Sequence, residues 1–525
     1  LPKELQAATY DRRWKIFALI FAAAVYSLTV TYPFNNDNAL YAYMADLLLH
    51  GHLPYLGSWD QNFPGILLVH LMPLLVGLRS QLAFHVWDIL LQLTGCWLIF
   101  QIVLKLSNGR AAFLAVVLSA LYYVQQGLWM SGERDTYVTI LLLAVLWLRM
   151  FRSRPMHDFL GGTVLGVIIL FRPTYGLYLI AFAITLLIQL DNPAPLSDRV
   201  KRTLLLLVGG VIPALLIILI YAISGGLEQL WLSVIKFNFS IYSGTGEQFS
   251  LRDPIRFYFI SVPAALAAVV VLWQAKQKPF LLLWSMIFVA SVTSLIMLYR
   301  HSVYHYHPMM ALFIVMSAIG WERATVWFAK LINTGTDARE GMRIALLTII
   351  VLFFGYQTFR GNTIQRVVRD ILSGKIHAVQ EMYSAYEGSS QFGEPIQTAV
   401  GEYLKHHTEP GDNVQMFGPY SYPQYYARLG SASKFQTLHA LCMRGKGDTL
   451  QPFQREWRKE YLRTLQTAPP VYFIVCDAPE AFRQYYGGML GHEILNKDFV
   501  ELRDWLRTSY HGETRIGAFT LYRKN

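Results

Sequence analysis

The feature that most constrains this chain is its alternation of long apolar runs with short basic clusters. Clusters stand at Arg12, Arg13 and Lys15, at Lys105 and Arg110, at Arg149, Arg152 and Arg154, and at Arg199, Lys201 and Arg202; Lys276 and Lys278 follow, and then Arg323, Lys330, Arg339 and Arg343. Basic residues that recur in alternate connections between apolar runs are the positive-inside pattern of a multi-pass membrane protein. A net charge of +11 therefore marks one side of a membrane here, and no nucleic-acid partner is expected. With 54% hydrophobic and 15% charged residues, a soluble chain of 525 residues could not hide its apolar surface.

The runs predict about eleven transmembrane helices of roughly 17–25 residues each. They lie near 14–32, 81–104, 111–129, 136–151, 159–171, 173–190, 203–222, 257–275, 279–298, 307–321 and 343–358. The fifth and sixth are short and meet at Arg172-Pro173. Residues 64–78 are too short and too interrupted by Pro73 to cross, and read as a surface or re-entrant helix. The first run lacks a small-residue cleavage site, so it reads as a retained span. With the first residues cytoplasmic, the outer loops are 33–80, 130–135, 223–256 and 299–306, and the segment after Gly361 also lies outside. The localisation expected is a bacterial inner membrane with the C-terminal domain in the periplasm.

Two domains follow: a membrane domain over 1–358 and an extracytoplasmic α/β domain over 359–525. In the second, GDNVQMFG and PPVYFIVCD read as buried strands, Pro395–His407 and Lys497–Tyr510 as helices, and GAFTLYRK as a closing strand. The aromatic run Tyr420–Tyr426 reads as packing rather than a sugar-stacking surface. Cys96 reads as a small buried thiol, whereas Cys442 and Cys476, both outside, are either buried strand residues or a disulfide.

Pro33–Gly65 carries the chemistry. No Lys or Arg occurs from Ile16 to Leu78, while Asp37, Asp46 and Asp60 do. Leu40, Tyr41, Met44, Leu47 and Leu48 recur at helical spacing, which predicts an amphipathic helix on the membrane surface, capped by Asn36 or Asp37 and ended by Gly51. Asp46 is expected on its solvent face, and Asp60 either as a loop or turn residue or as a support for an acceptor pocket. Asn36 and Asn38 could cap as well as Asp37, so capping does not account for a carboxylate there. An acid at the outer boundary suits chemistry on a lipid-carried substrate: a carboxylate takes the acceptor's proton while cations stabilise the departing phosphate. No DxD motif is present. Candidate outward cations are Arg134, Arg172, Lys236, Arg300, His301 and His305, with Lys236 read as a snorkelling side chain. His301, His305 and His307, with Glu133 or Asp135, offer donors for a divalent metal ion, but three interfacial histidines more simply hydrogen-bond phosphate.

The order of these features resembles the GT-C glycosyltransferases that use a polyprenyl-phosphate sugar, above all the aminoarabinose-transferase and protein O-mannosyltransferase group. The resemblance rests on Asp37-Asn-Ala-Leu-Tyr41, on Leu-Leu-His-Gly-His-Leu-Pro-Tyr55, and on Trp59-Asp60-Gln-Asn-Phe-Pro64-Gly65. It continues through Ser107–Arg110, Glu133-Arg134-Asp135, Gly161–Pro173 and Arg300–Pro308. It implies a polytopic α-helical fold with outer juxtamembrane helices. It also implies Asp37 as catalytic base, Glu133 or Asp135 as a second acid, and Tyr41, Tyr55, Asp60, Arg134, Arg172, Arg300, His301, His305 and Tyr306 around the substrates. The partners it implies are a polyprenyl-phosphate-linked sugar, a glycan, lipid or protein acceptor, and membrane lipids. The chain departs from the family's Lys-Pro-Pro at Asn62-Phe63-Pro64, and has Leu40 where some members carry Arg. Two rival readings are an oligosaccharide ligase using a diphosphate carrier and a transporter, the latter favoured only by Asp88 within the second span.

Overall fold

The structure, a computed structural model, describes residues 3–152, 154–188, 194–245, 258–298, 302–331, 336–360, 363–375, 393–445, 449–477 and 480–525. The chain divides into two compact units. The first comprises Leu1–Thr31, His85–Leu216 and Phe249–Gly374, and the second Tyr32–Phe84, Ile217–Gln248 and Lys375–Asn525.

The first unit is helical, and each expected span falls on a helix. In chain order come α1 (Lys3–Tyr26); α4 (Gln81–Leu106), after two helices of the second unit; α5 (Gly109–Gln125), α6 (Arg134–Phe151), α7 (Pro155–Phe171), α8 (Gly176–Ile188) and α9 (Leu196–Ile223). Helices at Val262–Gln274, Lys278–Ile296, His307–Leu331 and Thr336–Phe359 follow. Among the described residues six helical segments are long and apolar enough to cross a membrane, and shorter apolar helices accompany them, so this is a polytopic helical membrane protein. α5 is apolar all round and buried along nearly its whole length, packed by α1, His307–Leu331 and Thr336–Phe359. α7 and α9 approach closely, because a Cβ on Gly162 would stand 2.0 Å from the Leu206 carbonyl oxygen. At the basic ends, Asp158 pairs with Arg202 at 2.5 Å and Glu322 with Arg343 at 2.5 Å.

The second unit joins residues 32–84 and 217–248 to the C-terminal segment. Its first helices are α2 (Asn36–Leu49) and α3 (Gly65–Leu75). Its sheet contains β1 (Asn413–Phe417), β2 (Gly430–Ser431), β3 (Tyr472–Cys476), β4 (Tyr510–Ile516) and β5 (Phe519–Lys524), in the order β2-β1-β3-β5-β4. β1 pairs in parallel with β2 and β3, and β5 runs antiparallel to β3 and β4. β3 is buried at every position, as its unbroken YFIVC run requires. The helix expected over 497–510 is Val500–Ser509; the short helix Gly491–Lys497 precedes it, and Tyr510 already belongs to β4. Cys442 and Cys476 are buried free thiols and do not form a disulfide. Tyr420, Tyr422 and Tyr425 are buried.

The loop and the sheet share one core. Trp59, Phe237 and Ile241 lie in the same apolar cluster as Val414, Met416, Phe473 and Ile474. The Trp59 ring sits 4.8 Å from Phe237 and 5.8 Å from Trp457, while its backbone N–H and carbonyl exchange hydrogen bonds with the Gln436 side chain at 2.9 and 2.8 Å. From another side, Asn238 donates to the Gln61 carbonyl at 2.7 Å, next to a π-helical turn at Leu232–Lys236. In that turn Lys236 is exposed and lies 5.3 Å from the centre of the Phe453 ring.

Candidate active site

In the second unit, α2 starts where Asn35 adopts an extended conformation and accepts the Asn38 N–H at 2.7 Å. The cap is thus Asn35, not Asn36 or Asp37. Asp37 falls in the first turn, half-buried, where a carboxylate also meets the positive end of the helix dipole. Gly51, with φ +87, takes the left-handed position past the helix end as expected. The helix is not a surface helix with one buried face: Tyr41 through Leu47 are all buried, against α3 and the short helix Tyr422–Ala427. Tyr43 donates its hydroxyl to the Leu429 carbonyl at 2.9 Å. Asp46 is not on a solvent face either. It is buried and takes both terminal nitrogens of Arg79 at 2.5 and 2.9 Å, the first cation after the long basic-free stretch.

Tyr41, one turn after Asp37 on the same face, accepts a hydrogen bond from Asn62 at 3.1 Å. Asn62 also donates to Asp60 at 3.2 Å, and its carbonyl accepts the Tyr55 hydroxyl at 2.6 Å. Tyr41, Tyr55, Asp60 and Asn62 therefore form one polar group under α2. Tyr55 has φ 66, a conformation that costs a side-chain-bearing residue about 1–2 kcal/mol. Its N–H bond to Ser58 and its packing on Tyr221, 5.7 Å away, hold it there. Strain of this kind gathers at working sites.

In the first unit a second acidic group is assembled by sequence-local rules. Pro173 disfavours helix at the residue before it, and Arg172 is accordingly extended at φ −165, ψ 128, between α7 and the turn that opens α8. The break lets the buried Arg172 guanidinium reach Asp135 in the first turn of α6, at 3.0 and 3.1 Å. Tyr175, one turn on, donates its hydroxyl to the same carboxylate and accepts from Arg172 at 3.1 Å. His305 lies 4.0 Å from Asp135, and its Nδ1 accepts the Ser302 N–H at 3.0 Å. Glu133, the residue preceding α6, is fully buried, as is Asp135; Arg134 and Tyr306 are buried as well. Arg300 and His301 lie outside the described residues.

Among the described residues no three His, Cys, Asp or Glu side chains come together as metal ligands. Asp135 is directed to Arg172 and Tyr175, and His307 Nδ1 to the Thr139 hydroxyl at 2.8 Å, so the described donors do not fit a divalent ion. Asp88 has hydroxyl and amide partners in Tyr123, Tyr137, Ser131 and Gln92 at 2.5 to 3.1 Å. Four donors on one carboxylate make a staple between helices, which removes the one feature that favoured a transporter. Tyr175 and Arg79 belong to none of the sequence motifs, and Asn62 enters them only as a departure from the family's Lys-Pro-Pro. The first follows Arg172-Pro173 so closely that its spacing could have flagged it.

No family model and no curated protein matches this chain. Solved structures do. ArnT from Cupriavidus metallidurans bound to undecaprenyl phosphate superposes with a TM-score of 0.55 at 12% identity, over 98% of each chain. The apo state of the same protein gives 0.56 at 12% identity, again over 98% of each chain. The archaeal oligosaccharyltransferase AglB from Archaeoglobus fulgidus, in complex with an inhibitory peptide and a dolichol-phosphate, gives 0.51 at 11% identity, over 98% of this chain and 75% of that one. At such identities the likeness is one of fold.

Proposed function

We propose that this GT-C-fold chain is an integral-membrane glycosyltransferase that moves a sugar from a polyprenyl-phosphate donor to a hydroxyl of a lipid, glycan or protein acceptor on the outer face of the membrane. The observation that carries the reading is the start of α2. Asn35 supplies the cap, so the carboxylate of Asp37 is not there to begin the helix. The likeness to a chain solved with undecaprenyl phosphate and another solved with a dolichol-phosphate supports a polyprenyl carrier.

Asp37 takes the proton from the acceptor hydroxyl as that oxygen bonds to the anomeric carbon. The bond from that carbon to the phosphate oxygen breaks, and its electron pair leaves with the phosphate. Attack opposite the leaving group inverts the anomeric centre. Arg172 and Arg300 are assigned to the developing phosphate charge, and Arg134, His301 and His305 to the substrates. Asp135 serves chiefly to hold Arg172, since both of its carboxylate oxygens are engaged by the guanidinium and the Tyr175 hydroxyl. Glu133 stands next to it as the remaining acid. Tyr41, Tyr55, Asp60 and Tyr306 shape the substrate pockets. The membrane part over 1–358 carries the chemistry in a bacterial inner membrane, and 359–525 faces the periplasm and helps choose the acceptor.

Mass spectrometry of membrane lipids and surface glycans, with and without the protein, tests this function. A glycan that loses one sugar while its polyprenyl-phosphate sugar accumulates is the expected result. Unchanged glycans and lipids would refute it.

A further inference from the structure

Helices His307–Leu331 and Thr336–Phe359, with the turn Phe259–Ser261, enclose an open trough of about 270 Å³. Trp321, Phe328, Ile349, Ile350, Phe353 and Phe354 form most of its wall, and no polar atom is exposed in it. The polar atoms nearby are used within the protein. The Trp321 Nε1–H donates to the Ser261 hydroxyl at 3.0 Å, and the Thr325 hydroxyl to the Glu322 carbonyl at 2.7 Å.

The trough's face continues into charge. Positions 339, 343, 346, 350 and 353 are spaced by four and three residues in turn, so Arg339 and Arg343 fall on the same stripe of their helix as Leu346, Ile350 and Phe353. Arg343 is matched: it donates to Glu322 at 2.5 Å and to Glu340 at 3.4 Å, and Glu340 also receives Arg110. Arg339 makes no hydrogen bond or ion pair with any described residue, and its Nε is shielded from solvent. The cluster of Arg110, Arg339 and Arg343 against Glu322 and Glu340 thus carries one cation in excess. A shielded guanidinium nitrogen without an acceptor is costly, and an anion relieves it.

We propose that this is a binding site for one anionic glycerophospholipid, with an acyl chain in the trough and the headgroup phosphate on Arg339. A dry apolar trough selects hydrocarbon, and an excess guanidinium on the same stripe selects the phosphate of a lipid with net negative charge. The basic clusters place this end of the two helices at the cytoplasmic leaflet, where juxtamembrane cations attract anionic lipids. The site is independent of sugar transfer and uses none of the residues assigned to it.

Native mass spectrometry of the full chain, delipidated and then supplied with phosphatidylglycerol or phosphatidylethanolamine, tests the site. One phosphatidylglycerol should bind about tenfold more tightly than phosphatidylethanolamine. Arg339→Gln should abolish that preference and Arg339→Lys should keep most of it. Ile350→Trp, which fills the trough, should weaken both lipids with Arg339 intact. Thermal melts of each variant in detergent report folding, so that lipid loss is read only on folded protein. Equal binding of the two lipids to wild type would overturn the proposal, as would wild-type preference in Arg339→Gln or displacement of phosphatidylglycerol by equimolar undecaprenyl phosphate.

Discussion

Asp135 in the helical unit and Asp37 in the loop-and-sheet unit open their helices in the same way, each as an acid in the first turn. Their surroundings differ. Asp135 is fully buried and faces a guanidinium and a tyrosine hydroxyl, all placed by the break at Pro173. Asp37 is half-buried, and the capping that a first-turn acid often performs is done by Asn35. On the function proposed above, the difference divides the work: Asp135 orients Arg172, and Asp37 takes the acceptor's proton. Sequence motifs treat the two as equals.

The widest separation between them should come from conservative amides. Asp37→Asn keeps size and helix, and should lower transfer by about 100- to 10,000-fold with near-normal donor binding, in turnover assays under saturating donor. Retention of more than about a third of wild-type turnover would move the base to Asp135 or Glu133. Asp135→Ala should act on stability instead, because it leaves Arg172 buried without its partner at a cost of about 3–5 kcal/mol. Denaturant unfolding in detergent should show the Asp135→Ala, Arg172→Ala double variant to be less damaged than the sum of the two singles; strict additivity would mean that the pair is not coupled.

Trp59→Ala probes the other unit at a similar or smaller scale. A buried tryptophan costs about 3–5 kcal/mol when truncated, and this ring links the loop to the sheet core. Proteolysis should then release the C-terminal segment more readily; unchanged protection would mean that the shared core carries little of the unit's stability.

Much of this was legible in the sequence, for physical reasons. Spans announce themselves because backbone in lipid must be helical and apolar, and β1, β3 and β5 because buried strands read as dense apolar runs. The Arg172 kink was visible in its proline. What escaped notice depends on distant partners. Asp46 looks like a solvent residue until Arg79, far along the chain, is brought to it. β4 carries no strand signal in its sequence, because it is an edge strand of mostly polar residues with a bulge between Gly512 and Thr514. Nothing in the local sequence announces that Trp59 belongs to the core of a sheet more than 350 residues later.

The smallest effect expected is on pH. Burial alone would raise the pKa of Asp498, but its hydrogen bond and charge contact with Arg458, and the further charge of Arg444, hold it below the ordinary carboxylate value. A depressed pKa stabilises the folded state above the unfolded carboxylate's pKa of about 3.9, and that contribution is lost as pH falls through the folded value. Asp498→Asn should therefore flatten the acid limb of the unfolding curve below the unfolded value of about 3.9, where the folded carboxylate takes up its proton. An unchanged limb would show that the two arginines do not favour the ionised form.

The central claim concerns the donor, and the chemical form of the spent carrier tests it most directly. Protein reconstituted in liposomes with a polyprenyl-phosphate sugar and a hydroxyl acceptor should release polyprenyl monophosphate in step with glycoside formation, read by mass spectrometry of the lipid fraction. Transfer that proceeds only from a diphosphate-linked glycan, releasing polyprenyl diphosphate, would contradict the account and make the chain an oligosaccharide ligase.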